Sequence, residues 1–369
     1  MGLESAQIGA TLPAFQQERD SMAISKLLPT TLVGSYPPPE WLVDRERMVK
    51  AVARNKDEAL WRVPPELLEL AQDDATKLAV RDMEDAGIDI VTDGEIRRES
   101  YGTRFALSLE GIDADNPGEK PGRGGKATLV PRIVGPVKRR SAEEVRDAQF
   151  LRSITRRGTK ITLPGPFTMM RQLKDDYYGD EEAAAMAIAA EINAELKDIK
   201  AAGIDVVQLD EPWMQSWPED AGSFGLKAIN RALEGIEGDT VVHVCFGYAH
   251  VMPDKPKGLA YKFLPEFEGC IAKQISIETA QPDLDLTVLR DLPSKTIMLG
   301  VLDLAPTTAV ETAELVARRI EKAFAFVPPE RIIPAPDCGM KYMKREVAFG
   351  KLKALAEGAA MVRKSLGAN

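Results

Sequence analysis

A histidine and a cysteine one residue apart, His243 and Cys245, are followed at wide intervals by Glu278 and Cys338, and each ends an apolar, β-branched run. Imidazole, thiolate and carboxylate donors delivered from separate strands are the ligand types that a zinc ion takes. In Val241-Val-His-Val-Cys-Phe-Gly247 a strand puts positions i and i+2 on one face, so His243 and Cys245 project together. Glu278 closes Gln274-Ile-Ser-Ile-Glu, and Cys338 lies in Ala335-Pro-Asp-Cys-Gly-Met340. Cysteine pairs at zinc-finger spacing are absent, which argues against a closed structural site. The plain alternative for a His-x-Cys is core packing; against it, the chain has only 2 histidines and one stands here. Cys270 has no strand-end setting and is assigned to packing or to the surface. His250 is assigned to a loop, with support of the metal cluster as the alternative.

Two more carboxylates end strand-like runs. Glu95 follows 88–92 and Asp210 follows 205–209, so both would overhang one mouth and could bind an ammonium group by charge-assisted hydrogen bonds. The alternative is a helix cap, and the sequence Asp210-Glu-Pro212 suits a helix start. Gly34 and Ser35 would let backbone N–H groups approach a substrate carboxylate, although a tight turn accounts for the same glycine.

The elements that position these residues repeat one theme, a short β-branched run and then a helical stretch with apolar residues three and four apart. The runs lie at 31–36, 88–92, 160–163, 205–209, 240–245, 273–277, 296–301 and 331–335. Helices are expected over 181–202, 310–326 and 344–363. A phrase recurs, Ala86-Gly-Ile-Asp and Ala202-Gly-Ile-Asp, in which glycine ends a helix and a strand begins at once. Eight such units predict an α/β protein, a (β/α)8 TIM barrel. An open doubly wound sheet is the competitor, but polar residues follow nearly every strand, as at the carboxyl end of a closed barrel. The expected domains are an N-terminal arm over 1–26 and one catalytic barrel over 27–369. A Gly-, Pro- and Lys-rich excursion at about 111–140 breaks the rhythm, with a hairpin near 127–134; it is either a lid over the mouth or a solvated loop.

Composition removes other classes. A net charge of −9 gives no basic footprint for nucleic acid or anionic lipid. No apolar run approaches the roughly 20 residues that span a bilayer, and the first twenty residues hold no signal segment, so a cytoplasmic location is expected. Three cysteines are too few for a disulfide framework and suit a reducing compartment. Oligomeric state is not encoded legibly.

In order along the chain stand Val33-Gly-Ser-Tyr-Pro37, Asp93-Gly-Glu95, Leu163-Pro-Gly-Pro-Phe-Thr168, Gln208-Leu-Asp-Glu-Pro212, His243-Val-Cys245, Ser276-Ile-Glu-Thr279, Gly300-Val-Leu-Asp303 and Pro336-Asp-Cys-Gly339. Over roughly 27–366 the chain resembles the cobalamin-independent methionine synthase family, specifically its catalytic carboxyl-terminal barrel, a fold related to that of porphyrinogen decarboxylases. The resemblance implies zinc on His243, Cys245, Glu278 and Cys338, with a small-molecule thiol entering beside it. It implies that Ser35, Glu95 and Asp210 hold the amino-acid part of homocysteine. The chemistry expected is alkyl transfer to sulfur, most directly methyl transfer to homocysteine to give methionine.

Two departures bear on the donor. At 369 residues there is no room for the second, amino-terminal barrel with which full-length members hold folate. The family's histidine two residues after the aspartate of Gly-Val-x-Asp, which protonates the departing folate nitrogen, is replaced by Ala305. Without such an acid, worth about 100- to 10,000-fold, a methylcorrinoid or another activated donor competes with methylfolate, unless Tyr177, Tyr178 or His250 substitutes. Alternatives on the same site are epoxide opening by a coenzyme M-type thiol, decarboxylation, or zinc storage.

Overall fold

The structure, a computed structural model, describes residues 26–50, 58–99, 102–122, 127–247, 261 and 263–368. Apart from Lys26, the expected N-terminal arm lies outside them, as does His250.

Ten strands are found among the described residues: β1 (Ile90–Thr92), β2 (Leu109–Pro121), β3 (Ala127–Arg139), β4 (Gly158–Pro164), β5 (Lys174–Asp175), β6 (Val206–Asp210), β7 (Asp239–Val244), β8 (Gln274–Ile277), β9 (Thr296–Leu302) and β10 (Ile332–Pro336). Seven of them make one sheet in the order β1-β4-β6-β7-β8-β9-β10, and every pair is parallel. The eighth stave is the expected run 31–36, and it closes the ring. Thr31 bridges in parallel to Ile90, while its N–H donates to Pro334 O at 3.2 Å across the seam. The (β/α)8 barrel is therefore the architecture.

The first stave is less regular than its β-branched sequence predicts. It pairs as a strand only at Thr31, and beyond that residue its carbonyls are taken by groups from elsewhere. Lys160 Nζ holds Leu32 O, Gln208 Nε2 holds Val33 O at 2.8 Å and Thr92 Oγ1 holds Gly34 O at 2.6 Å. The N–H of Met340 holds Ser35 O at 3.0 Å. Backbone acceptors satisfied by side chains have no need of a ladder.

Helices pack outside as the periodicity predicts. In Glu181–Ala201 the residues Ala184, Ile188, Ile192, Leu196 and Ile199 fall on one buried face, so truncating Ile192 to alanine costs about 2–5 kcal/mol. The Asp180 carboxylate caps it by accepting from Glu182 N. The recurring phrase has one conformation in both places: Gly87 and Gly203 take φ +88 and +89, the left-handed geometry that ends a helix and suits glycine. The helices expected at 310–326 and 344–363 are Ala313–Ala323 and Arg345–Ser365.

The excursion lies where the sequence places it, and its hairpin is longer than the one expected near 127–134. β2 and β3 form a long antiparallel hairpin with two register shifts, extended by β5 parallel to β3. It is half covered, with Val130, Ile133 and Val137 buried while Leu129 and Val134 face out. The buried positions do not keep a single period of two along β3, whose pairing with β2 is interrupted by the two register shifts.

Candidate metal centre

On β7 the side chains of Val241 and His243, and Cys245 just beyond, alternate to one buried side. Inside the barrel a ring nitrogen of His243, Cys245 Sγ and Cys338 Sγ lie within 4.8 Å of one another, and the two sulfurs are 3.8 Å apart. Ser276 Oγ stands 2.8 Å from His243 Nδ1 and sets the ring plane. The other ring nitrogen, Nε2, is buried with no hydrogen-bond partner. Orphaned buried nitrogens are rare and costly, and an imidazole with a spare nitrogen, grouped with two thiols, fits a soft cation.

Glu278, the fourth residue expected here, borders the cluster without joining its three members. It is fully buried, and its Oε1 accepts from the backbone N–H of Phe246, one residue past Cys245, at 3.1 Å. Two residues that the sequence reading missed hold this region together. The Tyr261 hydroxyl donates to Val244 O at 3.0 Å and accepts from Glu278 N at 2.8 Å, tying β7 to β8. The Asp337 carboxylate accepts the N–H groups of Thr279, Ala280 and Gln281 at 3.1, 3.0 and 2.6 Å. Gly300 makes room for it, since a Cβ there would collide with Asp337. Ser276 had a legible signal, being two residues before Glu278 on the same face; Tyr261 had none.

The second group of expected residues lines the same mouth. Gly94 and Glu95 are both left-handed, at φ +70 and +53, which for glutamate is strain held by its surroundings. Glu95 Oε1 accepts from Thr162 Oγ1 at 3.0 Å and lies 3.9 Å from the Arg98 guanidinium. Its Oε2 is buried without a hydrogen-bond partner. Close approach, rather than a turn, is what Gly34 supplies: a Cβ at that position would meet the Glu95 carboxylate. Ser35 is buried, and its Oγ accepts from Lys341 N at 3.3 Å, joining the first stave to the loop after Cys338.

Asp210 stands beside His243 in the β6–β7 register, so the carboxylate wall and the thiol cluster meet. Gln208 Nε2 donates to Asp210 Oδ1 at 2.6 Å. Burial pushes the Asp210 carboxyl up to about 7, with His243 opposing and Glu95 adding to the rise. Glu211 serves a different helix from the following one weighed for Asp210: it accepts from the N–H groups of Phe167 and Thr168 at 3.0 and 2.8 Å, in the first turn of the helix Pro166–Arg171.

Cys270 is buried, precedes β8 at the opposite end of the barrel and is packing. Ala305 presents only a methyl group, and its N–H turns back to Asp303 Oδ1 at 2.8 Å. The Tyr178 hydroxyl accepts from Val137 N at 3.1 Å in the hairpin, and Tyr177 is half exposed beside it.

Fold and site define a (β/α)8 barrel with a thiol- and imidazole-lined candidate metal site at the carboxyl ends of its strands. The chain belongs to the family described as cobalamin-independent synthase, catalytic domain, whose model matches residues 28–361. A methionine synthase of Saccharolobus solfataricus is 32% identical over 347 residues, covering 92% of this chain and 96% of that one. One from Pyrococcus abyssi is 31% identical over 346 residues, covering 92% and 94%. The structure of a B12-independent methionine synthase from Shewanella sp. W3-18-1, in complex with selenomethionine, superposes with a TM-score of 0.84 at 35% identity, covering 92% of this chain and 99% of that one. A Listeria monocytogenes structure at 20% identity and TM-score 0.70 shares the fold. Among the described residues no helix is long and apolar enough to cross a membrane.

Proposed function

We propose that the chain is a zinc-dependent methyltransferase that transfers a methyl group to the sulfur of homocysteine, giving methionine, with residues 27–369 as its catalytic barrel. The observation that carries this reading is the buried grouping of the His243 imidazole, whose Nε2 has no hydrogen-bond partner, with two thiols 3.8 Å apart. The methionine synthase names of its relatives, and the selenomethionine bound by the Shewanella protein, agree with it.

His243, Cys245 and Cys338 would hold the ion, with Glu278 beside them as the fourth ligand. Zinc bound there supplies the positive charge that lets a thiol lose its proton at neutral pH. The protein's part is orientation. Glu95 and Asp210 hold the substrate ammonium group between them, and the Glu95 Oε2 that lacks a partner is the acceptor such a group would use. Gly34 and Ser35 offer their backbone to the substrate carboxylate. A thiol without an amino group would leave that glutamate oxygen unanswered, which weighs against the coenzyme M-type alternative.

For the donor, Ala305 offers no proton. The reading is a methyl donor whose leaving group departs without one, a methylcorrinoid ahead of a methylfolate. Metal analysis should find about one zinc per chain, lost on Cys245→Ser and on Cys338→Ser; full retention by both variants overturns the site. Failure to form methionine from homocysteine with methylcobalamin and with methylfolate alike overturns the activity.

A further inference from the structure

Lysine is almost never fully buried unless paired, yet Lys160 on β4 is 1% exposed inside the barrel. Its ammonium donates to Leu32 O and, at 3.0 Å, to Gln208 Oε1, and it lies 3.5 Å from Met298 Sδ. Among the described residues no carboxylate is within ion-pair distance of it. Burial pushes its pKa down to about 7, although the more distant Asp210 and Glu95 pull it up. Methionine would fill the same volume without that electrostatic cost, so the lysine points to a use for its donors.

An ammonium group can only donate. The Gln208 atom that faces it must therefore be oxygen, which sends the amide NH2 the other way. There its two hydrogens reach Val33 O at 2.8 Å and Asp210 Oδ1 at 2.6 Å. With an indifferent neighbour the amide could turn over and present its oxygen to the Asp210 carboxylate, lone pair against lone pair. The same ammonium holds Leu32 O, one residue before Val33. One cation thus fixes the carboxylate on β6 and the stave that carries Gly34 and Ser35.

We propose that Lys160 is a positioning residue for the amino-acid end of the thiol substrate, acting through the orientation of Gln208 on Asp210 and on the backbone at residues 32–33. This rests on the homocysteine reading above.

The test compares dissociation constants, by titration calorimetry on metal-loaded protein, for homocysteine and for 4-mercaptobutyrate, the same thiol without its amino group. Lys160→Met should weaken homocysteine about tenfold, weaken 4-mercaptobutyrate, which keeps the carboxylate but not the amino group, several-fold less, and leave metal content unchanged. Gln208→Glu, which sets a second oxygen against Asp210 with Lys160 still in place, should show the same selective loss. If Lys160→Met does not fold, Gln208→Glu decides. Equal weakening of both thiols, or wild-type selectivity in the variants, overturns the positioning role alone. A wild-type protein that binds the two thiols equally overturns the homocysteine reading, and this inference with it.

Discussion

Asp337 accepts the backbone N–H of Gln281 at 2.6 Å, reaching from the residue before Cys338 to the loop that follows Glu278. With its bonds to Thr279 and Ala280, this carboxylate makes two loops from different staves into one unit. Groups that orient a metal's ligands typically contribute 10- to 100-fold to affinity. Asp337→Ala should weaken zinc by that order in a competition titration with a chelator, and Gly300→Ala should do the same by pushing the carboxylate away. Unaltered zinc affinity in both would separate Asp337 from the ligand set.

Glu95 is the clearest test of amino-acid recognition. A hydrogen bond to a charged group is worth about 1.5–3 kcal/mol, so Glu95→Gln should raise the KM for homocysteine by roughly 10- to 150-fold with zinc content intact. The same rise for 4-mercaptobutyrate would show general damage to the mouth.

Lys160 has a signature in stability against pH. Its pKa in the folded chain is about 7, below the ordinary 10.5, because burial disfavours its charge. The folded state therefore binds fewer protons than the unfolded one between those two values. Stability rises with pH across that window and carries the full penalty below it. At about 1.4 kcal/mol per unit the span is on the order of 5 kcal/mol. Melting temperatures of wild type minus Lys160→Met, followed from pH 6 to 10, should climb; a flat difference refutes the charged burial.

Ala305 invites a gain of function. Placing histidine there supplies the missing acid, so Ala305→His should raise turnover with methylfolate by about 100- to 10,000-fold while leaving methylcobalamin turnover nearly as it was. No gain with folate would mean that protonation is not what limits that donor.

Much of this was legible in the chain. Seven staves fall within two residues of their apolar runs, because burial on both faces leaves β-branched residues in sequence. The His243–Cys245 pair was readable from strand alternation, and Glu95 and Asp210 from where their strands stop. Other features depend on contacts between distant segments. The first stave loses its ladder because Lys160, Gln208 and Thr92 capture its carbonyls. Tyr261 reaches Glu278 N by tertiary packing alone. Glu211 turns back to the helix Pro166–Arg171, with room made by Gly165, where any side chain would strike Glu211, and no local pattern around 210–212 announces that distant partner. The hairpin's buried face was hidden by the glycine- and lysine-rich composition of 116–126.

The stave that closes the ring is laced by side chains where its neighbours are stitched backbone to backbone. Loosening one lace slackens the joint without unravelling the cylinder, so the wall bearing Gly34 and Ser35 can breathe while the rest of the barrel stays shut. Amide exchange there becomes a gauge of occupancy, fast in the empty protein and slowed when an amino acid bridges that wall to the carboxylates opposite.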